Sequence, residues 1–238
     1  MDSSRIFAGV DCSPGARRLT VAALSFRLEV QFLRGLSVEE TAAELAAFGE
    51  ISVAIGGPLR ANPSSAAEEE IRRRGILFRR SPAAEKDASA SARAGFQLAR
   101  ELNQRGFLEG ASAGKAKRFL METRPAACAA VLLGWLPFGR TTLEGRIQRQ
   151  LLLFRERVVL PDPMVSLEEI TAHHLLSGRL SLHGIRKPGE LDALLAAFTA
   201  WRAARAPEAV TWLGRDSDGR ICLPVKELKE KYLKSNIE

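Results

Sequence analysis

Ile6-Phe7-Ala8-Gly9-Val10 is an apolar run that ends in Asp11, and the reading of residues 6–59 outward from it decides the fold. The run has the length and composition of a short buried strand. Residues 19–25 and 29–36, rich in Val, Leu and Phe, follow so closely that only a meander can join them. Parallel neighbours would need a crossover of about a dozen residues. Ser37 has Glu40 three positions on, the pattern of a helix-starting capping box, and Leu45 and Phe48 turn inward before Gly49. Ile51-Ser52-Val53-Ala54-Ile55 is a further strand, closed by Gly56-Gly57-Pro58. Three strands, a helix and a strand imply a mixed sheet, with the fourth strand returning parallel to the first through a right-handed crossover. The carboxyl ends of strands one and four then lie side by side, and ligand sites in open α/β sheets favour such edges.

The rest of the chain adds helices and one more core strand. Residues 60–115 read as a helical insertion within a single domain spanning residues 1–238. A polar loop leads there into Arg72, Arg73, Arg74, Arg79 and Arg80, and a helix over 89–105 carries Phe96, Leu98, Ala99 and Leu102. The small-residue loop 110–114 is one residue short of a phosphate-binding loop and lacks its Ser or Thr, so it is not one. Residues 118–122 form the fifth strand, and Pro125 starts a helix through Leu133. Further helices are expected over 143–154 and 166–176. After Pro188-Gly189, Leu191, Leu194, Leu195, Phe198 and Trp201 recur at helical spacing. Ala193, Ala196, Ala197 and Ala200 give that helix a small face able to lie close on the sheet. Residues 211–213 and 220–223 flank Asp216-Ser217-Asp218-Gly219 as a hairpin, and the lysine-rich C-terminal segment reads as a short exposed helix.

The chain has 238 residues, 46% hydrophobic and 26% charged, which provides a full core and excludes a disordered chain. No apolar run approaches the roughly 18 residues of a membrane span, and the polar start leads straight into the first strand without a signal peptide. Cys12, Cys128 and Cys222 are odd in number and show no Cys-x-x-Cys spacing. Reduced thiols in a cytoplasmic protein that avoids membranes are the simple expectation. The net charge of +7 favours a polyanionic partner such as nucleic acid. GC-rich coding alone can also produce abundant arginine and alanine, so the charge is supportive only.

Three acids stand where buried scaffold meets solvent. Asp11 and Glu122 end apolar strands, and Asp192 lies in the first turn of the helix after Gly189. Carboxylates converging from such positions can hold Mg²⁺ or Mn²⁺ through oxygen ligands. Two such ions about 3.5–4 Å apart support phosphodiester cleavage. Structural alternatives stand beside each. Asp11 could accept backbone amides in the Ser13-Pro14-Gly15 turn, Asp192 and Glu190 could complement the helix dipole, and Glu122 could pair with Arg124.

Five blocks carry a resemblance. They are Gly-Val-Asp-Cys-Ser-Pro-Gly at 9–15, Ile-Gly-Gly-Pro-Leu at 55–59, Glu-Thr-Arg-Pro-Ala-Ala at 122–127, Glu-Gly-Arg-Ile-Gln-Arg-Gln-Leu-Leu at 144–152, and Leu-Asp-Ala-Leu-Leu-Ala-Ala-Phe-Thr-Ala at 191–200. In this order they resemble domain-of-unknown-function family 429, predicted nucleases of the ribonuclease H-like superfamily, over about residues 6 to 224. The resemblance implies a ribonuclease H-like mixed five-stranded sheet flanked by helices. It also implies a metal-dependent nuclease, a hydrolase, with Asp11, Glu122 and Asp192 as catalytic residues and metal ligands. Arg146 and Arg149 match its arginine-bearing helix. One departure matters: such sequences usually read Ile-Asp-x-Pro-Leu where this one has Gly56, so a carboxylate expected after the fourth strand is missing. Glu68, Glu69 or Glu70 could substitute from the following loop.

The arginines Arg60, Arg72, Arg73, Arg79, Arg80, Arg146 and Arg149 are the candidates for phosphate contact, or a solvated face. His173-His174 sits in a predicted helix where adjacent side chains diverge by about 100° and cannot both reach one metal. Cys12 reads as a small buried thiol, and Trp135, Trp201 and Trp212 as packing. Two functions follow as expectations: a Mg²⁺- or Mn²⁺-dependent nuclease, or, motivated by Gly56, a catalytically impaired relative that binds nucleic acid or protein. A nucleotide-binding ATPase or kinase of the actin-like kind would need a duplicated unit that this chain lacks.

Overall fold

Alternation along the first strand dictates how the sheet is covered. In β1 (Ile6–Asp11), Ala8 and Val10 face one side, while Phe7, Gly9 and Asp11 face the other. A computed structural model describes residues 5–13, 18–62, 65–110, 116–168, 170, 172–178, 182–215 and 219–234. β2 (Leu19–Leu24) and β3 (Val30–Leu36) complete the antiparallel meander, and β4 (Ile51–Ile55) runs parallel to β1 with Val10 opposite Ile55. Between them, α1 (Val38–Ala46) starts on the expected capping box: Ser37 Oγ accepts from the Glu40 amide, and Glu40 accepts from the Ser37 amide.

The described residues form eight strands rather than five. β6 (Arg118–Thr123) lies parallel to β4, and its far edge is free to pair further. β5 (Leu108–Glu109) takes the first half of that edge, while β8 (Gly219–Leu223) takes the second half and brings β7 (Thr211–Arg215) as the outermost strand. The sheet order is β3-β2-β1-β4-β6-β8-β7. The expected hairpin is therefore part of the main sheet; the tip at 216–218 lies outside the described residues, as do the loop at 111–115 and the 14–17 part of the first turn.

Helices cover both faces. α1 and α3 (Ala90–Gln104) bury Leu45, Leu98 and Leu102 against Val10, Val53, Ile55 and Leu120. On the opposite face lie α4 (Pro125–Leu133), α5 (Leu143–Arg155) and α8 (Pro188–Arg205). The alanine face of α8 sits directly on Gly9: a β carbon there would overlap the Ala193 carbonyl and the Ala197 amide. Within the helical insertion, between β4 and α3, is a helix whose position the sequence reading did not give, α2 (Ala66–Arg73), capped by Ser65 and packed through Ala67 and Ile71. The expected helix over 166–176 is instead two short ones, α6 (Pro163–Glu168) and α7 (Ala172–Leu176).

The lysine-rich segment forms no helix among its described residues. Tyr232 is buried, its amide bonds the Arg74 carbonyl, and Leu136 donates to the Leu233 carbonyl, so docking outweighs local helix propensity. Among the described residues, no helix is long and apolar enough to cross a membrane.

Candidate functional site

Asp11 and Asp192 come together, and the fold explains why. Asp11 leaves β1 on the face covered by α8, two residues beyond Gly9, where the helix is closest. Its carboxylate lies against Gly189 in the first turn of α8; a β carbon at Gly189 would come 2.9 Å from Asp11 Oδ2. Asp192, one turn further into α8, is buried beside it. Glu190 does the capping work, accepting from the Lys187 amide at 2.9 Å.

Between the two acids stands a residue that sequence reasoning missed. Arg140 Nη2 lies 3.1 Å from Asp192 Oδ2 and 3.6 Å from Asp11 Oδ2, and donates to Ser13 Oγ at 2.8 Å. Ser13 in turn donates to Asp11. Arg140 belongs to a loop held by the arginine-bearing block of α5. Arg149 Nη1 donates to the carbonyls of Phe138 and Gly145, each at 3.0 Å, and Gln148 Oε1 accepts from the Phe138 amide at 2.9 Å. Arg146 donates to the carbonyls of Ile185 and Arg186, and Gln150 bonds Pro161, Gly184 and Arg186. These bonds fix the segment that leads into α8. The block thus builds the loop and helix start that bring Arg140 to Asp192, with its two arginines directed at main-chain carbonyls.

Glu122 goes elsewhere. It is in register with Ile55, which is in register with Val10, and all three share the face opposite Asp11. Its Oε2 accepts from the Leu59 amide at 2.9 Å and its Oε1 is 2.7 Å from Arg124, the pairing the sequence offered as one alternative. Arg124 is buried, reaches Glu68 at 2.6 Å and covers the Phe78 ring. Glu68 also accepts from the amide and hydroxyl of Ser81, while Glu69 pairs with Arg80 and Glu70 with Arg73 and Arg74. Glu122 lines a small cavity of about 210 Å³ with Arg60 and Arg220.

The acid pair opens on a cavity of about 480 Å³, lined also by Arg79, Arg80, Arg124 and Arg140. Of the other candidate arginines, Arg72 donates to the Phe78 carbonyl and Arg60 pairs with Glu109. Among the described residues Arg79 has no acidic partner, and its side chain is exposed. Gly56 also lines this cavity, and a β carbon there would come 2.9 Å from Pro125 Cγ, so the missing carboxylate's place is partly filled. Among the described residues no group of three or more His, Cys, Asp or Glu could hold a metal. His173 and His174 stand on α7 with ring centroids 6.2 Å apart. Cys12, Cys128 and Cys222 are free and buried. Burial, then the Asp11 charge, raises the Cys12 thiol to about 12, which leaves it unreactive at neutral pH.

Burial raises both acids, with Arg140 opposing, and Asp192 reaches about 6. Folded Asp192 therefore holds its proton more tightly than the unfolded chain does. Its charge costs stability as pH rises from about 4 through about 6, and the loss is complete above that. Asp192→Asn is expected to be more stable than wild type by about 1–3 kcal/mol near pH 8, with the difference closing below about pH 4. Urea midpoints at the two pH values check this; an equal gap at both would place the cause outside this titration.

The chain belongs to a family of proteins of unknown function, DUF429, whose pattern matches residues 9–217. No curated protein and no solved structure shows a significant match to it.

Proposed function

We propose that this DUF429 chain is a nucleic-acid-binding relative of the ribonuclease H-like nucleases, with Arg140 as the resident cation between its two acids. The observation that carries the reading is one guanidinium nitrogen within reach of both Asp192 (3.1 Å) and Asp11 (3.6 Å). The ribonuclease H-like reading of the fold is supported by the antiparallel meander followed by α1 and the parallel β4. Three buried free thiols support a reducing, cytoplasmic setting.

A metal centre held jointly by Asp11, Glu122 and Asp192 does not fit the residues present. A divalent ion would have to displace Arg140 and would then meet two carboxylates. Position 56 offers none, and Glu122 is committed to Arg124 and the Leu59 amide on the other face. What remains is a cleft suited to phosphate. Arg79, Arg80, Arg124 and Arg140 line it beside Asp11, Asp87 and Asp192, Arg79 has no acidic partner among the described residues, and the chain carries a net charge of +7. Phosphate contacts of this kind bind without reading sequence and weaken as salt releases them.

A second reading, the Mg²⁺- or Mn²⁺-dependent nuclease, is favoured by the convergence of Asp11 and Asp192 itself. Isothermal titration of Mn²⁺ separates the two. Neither wild type nor Asp11→Asn is expected to show saturable heat, both being folded by circular dichroism. Saturable uptake by wild type that Asp11→Asn loses would select the nuclease reading.

A further inference from the structure

A second cavity, of about 550 Å³, adjoins the acid pair, and Ala126, Arg140 and Asp192 line both. Its walls are largely apolar and its aromatic groups are exposed: Trp135 is 41% and Phe138 44% accessible, with Leu77, at 72%, also lining it. The chain holds these rings out by construction. Gly134, in the left-handed region at φ 82°, ends α4; the next step turns Leu136 inward, where its amide bonds Leu233. Trp135 is thereby left facing outward. Phe138 is pinned through both its amide and its carbonyl by Gln148 and Arg149.

Exposed rings fixed by their backbone around a cavity of ligand size are a binding feature. Their neighbours say what kind. Arg140 lies at the end shared with the acid pair, and Lys234 also lines the groove. An apolar slot flanked by cations complements a flat base with phosphates on either side. We propose that this groove holds an unstacked base of a single-stranded nucleic acid, stacked on Trp135, while its phosphate meets Arg140. The inference rests on the phosphate-binding reading above and adds the strand state of the ligand. Bases inside a duplex are stacked on one another and present no free face; bases in a single strand do.

The test is fluorescence anisotropy of three labelled oligonucleotides of equal length: single-stranded, duplex, and abasic single-stranded. Wild type is expected to bind the single strand roughly tenfold more tightly than the abasic strand. Trp135→Ala removes most of that preference and leaves abasic binding unchanged, while Trp135→Phe retains it. Affinity for the single strand no higher than for the duplex or for the abasic strand, or a Trp135→Ala protein with the full preference, overturns the base site while leaving the phosphate reading intact. Binding to none of the three overturns both. Displacement of the strand by a mononucleotide at equal affinity assigns the groove to a free nucleotide and overturns the single-strand proposal.

Discussion

Gly9→Ala is expected to destroy the native fold, with a loss above about 4 kcal/mol against a typical total of 5–15. The added β carbon would overlap the Ala193 carbonyl and the Ala197 amide and lie 2.9 Å from the Ala196 carbonyl carbon. All three are main-chain atoms of α8, so no side chain can rotate away. Accommodation requires α8 to lift from the sheet, which opens the cluster formed by Leu191, Leu194, Leu195 and Phe198. Gly57→Ala is the control, since nothing lies within 4 Å of a β carbon there. Urea denaturation followed by circular dichroism reads both. A Gly9→Ala protein with the wild-type midpoint would mean that α8 does not rest on β1. The juxtaposition of Asp11 with Asp192 would then fail as well.

Much of this arrangement is legible in the residues. Apolar runs and turn chemistry mark β1 to β4, and their close spacing requires the meander. The alanines of α8 announce a close approach to the sheet, and its placement brings Asp192 to Asp11. Glu122 shows the limit. It ends an apolar strand just as Asp11 does, but β6 is buried on both faces, so its sequence lacks the alternation that would tell which face the carboxylate takes. Register with Ile55 and Val10 decides it, and register is a tertiary property. Arg140 could not be singled out for a related reason. It sits in a loop, and its reach to the acids depends on bonds from Gln148 and Arg149 that no spacing encodes. Those same bonds explain why Arg146 and Arg149, prominent as cations in the sequence, are directed at carbonyls. The missed α2 is short and highly charged, and it is held by the packing of Ala67 and Ile71 against β7 and β8.

Arg140→Met is expected to have the largest effect on binding. Methionine keeps much of the apolar stem and removes the guanidinium that lies between Asp11 and Asp192. Truncating one partner of a buried charge pair across a binding interface, here Arg140 against the phosphate, costs about 2–5 kcal/mol. Partial exposure of the Arg140 side chain places the expected loss at the low end, a fall in affinity of about thirtyfold. The measurement is binding of a labelled single-stranded oligonucleotide in EDTA by wild type and Arg140→Met, with strand integrity followed after Mn²⁺ is added. The predicted result is metal-independent binding by wild type, an intact strand, and the thirtyfold loss in the variant. Equal binding by the two proteins, or Mn²⁺-dependent cleavage that Asp11→Asn abolishes, would contradict Arg140 as the resident cation of the cleft.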